Sequence, residues 1–100
     1  MRVALLFQRL NWRPDRISHV SRHGLTCAEV EEAVFDDPKR RMFRGPRSER
    51  DQTRFVYYVY GRTRAGRYLL VVLLDLGMGE ALPVTARNMT QRERAWYERR

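Results

Sequence analysis

Arg54-Phe55-Val56-Tyr57-Tyr58-Val59-Tyr60-Gly61-Arg62 and Arg67-Tyr68-Leu69-Leu70-Val71-Val72-Leu73-Leu74-Asp75 are two runs dense in β-branched, aliphatic and aromatic residues. Side chains of this kind suit a pleated, half-buried surface, so both runs are expected to be strands. Thr63-Arg64-Ala65-Gly66 lies between them as a hairpin turn. Neither run alternates cleanly between apolar and polar residues, which implies a sheet covered on both faces over part of its area. Gly77-Met78-Gly79 makes the next turn, and Glu80 to Arg87 reads as a third hairpin-linked strand. Pro83 within it cannot donate to a ladder and implies an edge position or a bulge.

Working back toward the N-terminus, Lys39 to Thr53 is rich in Arg, has little apolar periodicity and carries Gly45-Pro46 in its middle. It is expected to be an exposed, mobile basic loop over residues 39–53. Before it, Thr26-Cys27-Ala28-Glu29 has the form of a capping box, followed by an apolar stripe of Val30, Ala33 and Val34 that closes at Phe35-Asp36-Asp37-Pro38. An earlier, shorter helix spans Asp15 to His23, opened by Asn11-Trp12-Arg13-Pro14 and closed by Gly24. Val3 to Phe7 is a short β-capable run. At the other end, Thr90-Gln91-Arg92-Glu93 is a second capping box, opening a terminal helix through Arg99. That helix has Ala95, Trp96 and Tyr97 but no continuous apolar stripe, so docking on a partner chain is one expectation for it. The pieces give one α+β domain over residues 1–100, a small antiparallel sheet in the order β-α-α-β-β-β-α with helices packed on it.

The 100 residues, 43% of them hydrophobic, are enough for one core and no second folding unit. Lys and Arg number 20 against 12 Asp and Glu, a formal charge of +8, and Lys39 is the one lysine among them. An arginine surplus offers planar, bidentate contacts to phosphate and stacks on bases, so nucleic acid is the expected partner. The bland alternative is codon bias in a GC-rich genome. Cys27 has no second cysteine to pair with, and no spacing of Cys and His suggests a zinc cluster. The apolar run Val3 to Phe7 is too short for a signal-peptide core or a membrane span, which leads to the expectation of a cytoplasmic protein with no membrane partner.

The order of motifs resembles the BrnT family of toxin–antitoxin toxins. The resemblance is carried by Asn11-Trp12-Arg13-Pro14, Arg22-His23-Gly24-Leu25-Thr26, Val34-Phe35-Asp36-Asp37-Pro38, Gly61-Arg62-Thr63, Gly66-Arg67, Thr85-Ala86-Arg87, Met89-Thr90 and Glu93-Arg94 with Tyr97. It implies a compact fold similar to the RelE ribonucleases, cleavage of mRNA without a metal or other cofactor, and silencing by a cognate antitoxin protein. Assembly as a homodimer or a toxin–antitoxin hetero-oligomer would follow. The chain departs from the family in having Arg13 after the Trp, where an Asp is usual. Arg22 stands in place of a Lys, and Leu82-Pro83-Val84 where an Arg-Ile-Ile run is usual.

Metal-free RNA cleavage needs a base for the 2′-hydroxyl proton, an acid for the leaving 5′-oxygen and cations for the phosphorane charge. His23 is the leading acid/base candidate, because imidazole chemistry suits both roles and the family motif has a His there. A helix-terminal His beside Gly24 is the plainer account of it. His19, one turn earlier on the same face, completes no metal site, since a third ligand is not evident. Arg62, Arg67 and Arg87 lie at strand ends that a hairpin sheet could gather near one phosphate. Glu93 and Tyr97, i and i+4 on the last helix, offer a carboxylate base or a phenolic donor, although the capping box already accounts for Glu93. Arg22, Arg40, Arg41, Arg44 and Arg64 are the cations expected to hold the RNA backbone. Tyr57, Tyr58, Tyr60 and Tyr68 could stack bases, although strand aromatics are more often core. Two functional classes stand side by side: a growth-inhibiting endoribonuclease, and a non-catalytic module that keeps the fold and binds RNA or protein.

Overall fold

The computed structural model describes residues 6–99. In chain order the elements are β1 (Arg9–Leu10), α1 (Pro14–Arg22), α2 (Cys27–Glu31) continued by a π-helical turn (Glu32–Asp36), β2 (Arg41–Arg47), β3 (Phe55–Arg62), β4 (Tyr68–Gly77), β5 (Glu80–Asn88) and α3 (Gln91–Glu98). The five strands form one mixed sheet in the order β1-β5-β4-β3-β2, so the protein is α+β.

The β3–β4 hairpin forms as its sequence requires, with the Gly66 N–H donating to the Thr63 carbonyl at 3.0 Å. Val59 stands opposite Val71 and Tyr60 opposite Leu70. This register sends Val59, Leu69, Val71 and Leu73 to one face and Tyr58, Tyr60, Leu70 and Val72 to the other. The first face is the core, closed by Val20, Leu25, Val30, Ala33 and Val34 from the α1–α2 side, with Phe7 beneath. Gly61 makes the close approach possible: a Cβ there would lie 2.1 Å from the Ala33 carbonyl oxygen. Both capping boxes are present, at Thr26 with Glu29 and at Thr90 with Glu93. Gly24 closes α1 at φ +74.

The sheet differs from the expected one in two ways. It is not wholly antiparallel, because β1 pairs in parallel with β5, Arg9 opposite Glu80 and Leu10 opposite Ala81. It also has one more strand on its far side. Residues 39–53, expected to be a loop, contain β2, paired antiparallel to β3 with Arg41 opposite Tyr60 and Phe43 opposite Tyr58. The strand forms despite its charge because its guanidinium groups lie on rings. Arg44 and Arg47 stack on Phe55 at 4.4 and 5.3 Å, and Arg41 stacks on Trp96 at 4.5 Å. A cationic edge strand is also one way of discouraging edge-to-edge association. The remainder of that stretch is a turn closed by the Ser48 N–H on the Arg54 carbonyl at 2.8 Å.

Val3 to Leu5 of the expected first strand lie outside the described residues; Phe7 is buried in the core and the strand itself is Arg9–Leu10. Pro83 sits at a bulge: Val72 pairs with Thr85 and Leu73 with Pro83, leaving Val84 without an opposite. Among the described residues no helix is long and apolar enough to cross a membrane.

Candidate functional site

Helix α3 covers part of the outer face of the sheet. Its start is fixed by the capping box, in which the Thr90 hydroxyl accepts the Glu93 N–H at 3.1 Å and the Glu93 carboxylate accepts the Thr90 N–H at 2.8 Å. Helical spacing then places Glu93, Trp96 and Tyr97 toward the strands. Trp96 meets Tyr60 at 4.9 Å between ring centroids and Phe43 at 5.6 Å. Gly45 leaves room for this arrangement, since a Cβ there would lie 2.5 Å from the Tyr58 ring. What remains between helix and sheet is a pocket of about 520 Å³, walled by Phe43, Tyr58, Tyr60 and Trp96 and bordered by Arg92, Glu93 and Arg99.

Arg87 and Glu93 meet in a two-toothed pair at one side of this pocket, Nη1 to Oε1 at 2.8 Å and Nη2 to Oε2 at 2.9 Å. The Arg87 hydrogen bond, ahead of the Thr90 backbone N–H, holds the Glu93 carboxyl below the ordinary glutamate range. Tyr60 goes the other way. Burial, then the Glu93 charge, push its phenol above the ordinary tyrosine value, so it stays protonated at neutral pH. An ionised carboxylate and a protonated phenol therefore line one pocket, with the Arg87 guanidinium bound to the carboxylate from outside its lining.

Tyr97 and Arg62 are joined elsewhere, through Asp37. This carboxylate is 9% exposed; Oδ2 accepts the Arg62 N–H at 2.8 Å and the Tyr97 hydroxyl, and Oδ1 accepts the Lys39 N–H at 2.9 Å. The Arg62 guanidinium stacks on Tyr68 at 4.8 Å, and Arg94 stacks on the same ring at 4.2 Å. Arg67 belongs to a third cluster, donating to the Gly24 carbonyl and Asn88 Oδ1, both at 2.9 Å, and to Glu29 at 3.3 Å. It ties the α1–α2 junction to the β4–β5 edge. His23 is exposed next to that junction and its ring lies 5.1 Å from His19, whose Nε2 is 2.9 Å from the Thr85 hydroxyl. Among the described residues His23 makes no hydrogen bond to Arg62, Arg67 or Arg87. The three arginines proposed for one phosphate thus occupy three separate contact sets.

No family model and no curated protein matches the chain.

The cations expected to hold an RNA backbone are similarly divided. Arg41 borders the pocket through Trp96; Arg44 lies on the other face with Phe55; Arg64 pairs with Asp36 at 2.7 Å; Arg40 donates to the Asp37 carbonyl at 2.7 Å; and Arg22 stays on α1. Among the described residues, no three His, Cys, Asp or Glu side chains converge as metal ligands. Sequence reasoning did not single out Phe43, Trp96 or Asp37 as site residues. Phe43 lay in the supposed loop, and one aromatic between Arg41 and Gly45 makes no alternation that would mark a strand.

Proposed function

We propose that this protein is a metal-independent endoribonuclease acting on mRNA in the cytoplasm, with the Arg87–Glu93–Tyr60 pocket as its active centre. The observation that carries this reading is geometric: the Arg87–Glu93 pair stands at the edge of an aromatic pocket that Tyr60 also lines, so a carboxylate, a guanidinium and a phenol lie together. A carboxylate can act as the base, a phenol as the acid and a guanidinium as the cation for the developing phosphorane charge. Glu93 takes the proton of the ribose 2′-hydroxyl, and the 2′-oxygen attacks phosphorus. The bond from phosphorus to the 5′-oxygen breaks as that oxygen takes the Tyr60 proton, giving a 2′,3′-cyclic phosphate and a 5′-hydroxyl. Arg87 exchanges one or both contacts with Glu93 for the phosphate oxygens as negative charge builds there. His23, which has no contact with this set, is not needed for the acid–base work. The BrnT-like motif order supports the same reading and extends it to growth inhibition relieved by a cognate antitoxin.

A non-catalytic RNA- or protein-binding module is favoured by a different observation: Arg67 and Arg87 already have carboxylate partners within the chain. Induced expression of the wild type, Glu93→Gln and Arg87→Ala, followed by mapping of RNA 5′ ends, separates the two. A ribonuclease arrests growth and generates new 5′ ends, and each variant lowers cleavage by about 100-fold. A soluble, folded wild type that produces no new ends leaves the binding module.

A further inference from the structure

We infer that the aromatic wall of the pocket, Phe43, Tyr58 and Trp96, is a subsite for one unstacked purine base of a single-stranded RNA. This rests on the ribonuclease reading of the neighbouring pair but concerns a separate interaction, recognition of a base face.

Four observations carry it. The pocket, at about 520 Å³, falls within the range of about 300–1,000 Å³ that small ligands occupy and is large enough for a nucleotide. Its walls are rings, and Phe43 is 47% exposed, so its face is open to a ligand. Aromatic walls could equally enclose a cation, but Arg92 and Arg99 at the border and Arg41 on Trp96 repel one. The same charges suit the phosphates on either side of a base. Finally, polar groups at this wall are unused: among the described residues, the Tyr58 hydroxyl and the Trp96 indole N–H make no hydrogen bond, and Arg41 Nε is buried with no acceptor. The Tyr58 hydroxyl and the Trp96 indole N–H can serve the ring nitrogens and exocyclic groups of a base. A purine covers more of the walls than a pyrimidine does. A duplex cannot enter, because its base faces are already stacked.

Binding to fluorescent 2′-O-methyl strands, which lack the nucleophilic hydroxyl, tests this without turnover. Three strands of equal length are compared: oligoadenylate, oligouridylate, and oligoadenylate with abasic positions at its centre. The wild type is expected to bind the adenylate strand about 10-fold more tightly than the abasic one, the size of one stacked base. The uridylate strand should fall between them. Trp96→Ala and, separately, Phe43→Ala should bring adenylate and abasic affinities together, whereas Trp96→Phe should keep most of the gap. Because the strand comparison uses the wild type, misfolding of a variant cannot obscure it. Equal affinity of the wild type for the adenylate and abasic strands overturns the base subsite while leaving RNA binding intact. Failure of every strand to bind at low salt removes the ribonuclease reading and the subsite together.

Discussion

Asp37 shows how much one side chain can organise: a carboxylate with little exposure takes hydrogen bonds from the Arg62 backbone, the Lys39 backbone and the Tyr97 hydroxyl. It therefore links the end of the π-helical turn, the end of β3 and the last turn of α3. Asp37→Ala strips a shared acceptor from three donors, and we expect a loss of about 3 kcal/mol in chemical denaturation, with Tyr97→Phe costing about 1 kcal/mol. A loss below that of Tyr97→Phe would mean that the carboxylate is not the link. Glu93 makes a prediction of a different kind. Its folded-state pKa lies below its unfolded value, so its stabilising contribution is present above the ordinary glutamate range and disappears as pH falls through the depressed folded value. Arg87, the first cause of that depression, is the partner to remove. The difference in melting temperature between wild type and Arg87→Ala should be largest near neutral pH and shrink toward zero in strong acid. A difference that does not change with pH would place the effect of Arg87 in packing instead.

At the scale of elements, α3 brings Glu93, Trp96 and Tyr97 to the sheet, so weakening its start should weaken the site. Thr90→Ala removes the capping hydroxyl and should cost about 1 kcal/mol of stability, together with a measurable loss of RNA affinity, read by a denaturant titration and a binding isotherm on the same sample. Gly61→Ala acts on the opposite side. Its new Cβ would collide with backbone at Ala33, which cannot swing away, so about 3 kcal/mol is expected with no direct effect on the pocket. These two elements also show what was legible in the sequence. Both capping boxes and the β3–β4 hairpin could be read because local chemistry specifies them, and Pro83 could be read as far as an edge position or a bulge, of which the structure has the bulge. β2 could not, because a strand of arginines is stabilised by rings from elsewhere: Phe55 on β3 and Trp96 on α3. The candidate site was half legible for the same reason. Arg87 and Glu93 were named, but their contact depends on α3 folding back over β5, and the aromatic wall depends on the unrecognised strand. Arg62 and Arg67, also named, are drawn by the register into separate contacts.

For the whole molecule, a formal charge of +8 says that an anionic partner will be attracted, but not where. Ion pairs restrain several cations already: Arg9, Arg16, Arg54, Arg64, Arg67 and Arg87 each have a carboxylate within 4.0 Å. Arg41, Arg92, Arg94 and Arg99 lie on or beside α3, at the pocket or on the ring next to it. If RNA follows this face, about four phosphates are neutralised, and the plot of log affinity against log salt should have a slope of about −3. The Arg92→Ala, Arg99→Ala double variant should make that slope shallower by about 1.4, at two phosphates lost. Arg22→Ala and Arg44→Ala, on α1 and on the core side of β2, should leave it unchanged. The opposite pattern, in which every arginine contributes alike, would describe a diffuse cationic surface with no defined path for the strand, and the pocket would then lose its claim to be where RNA is held.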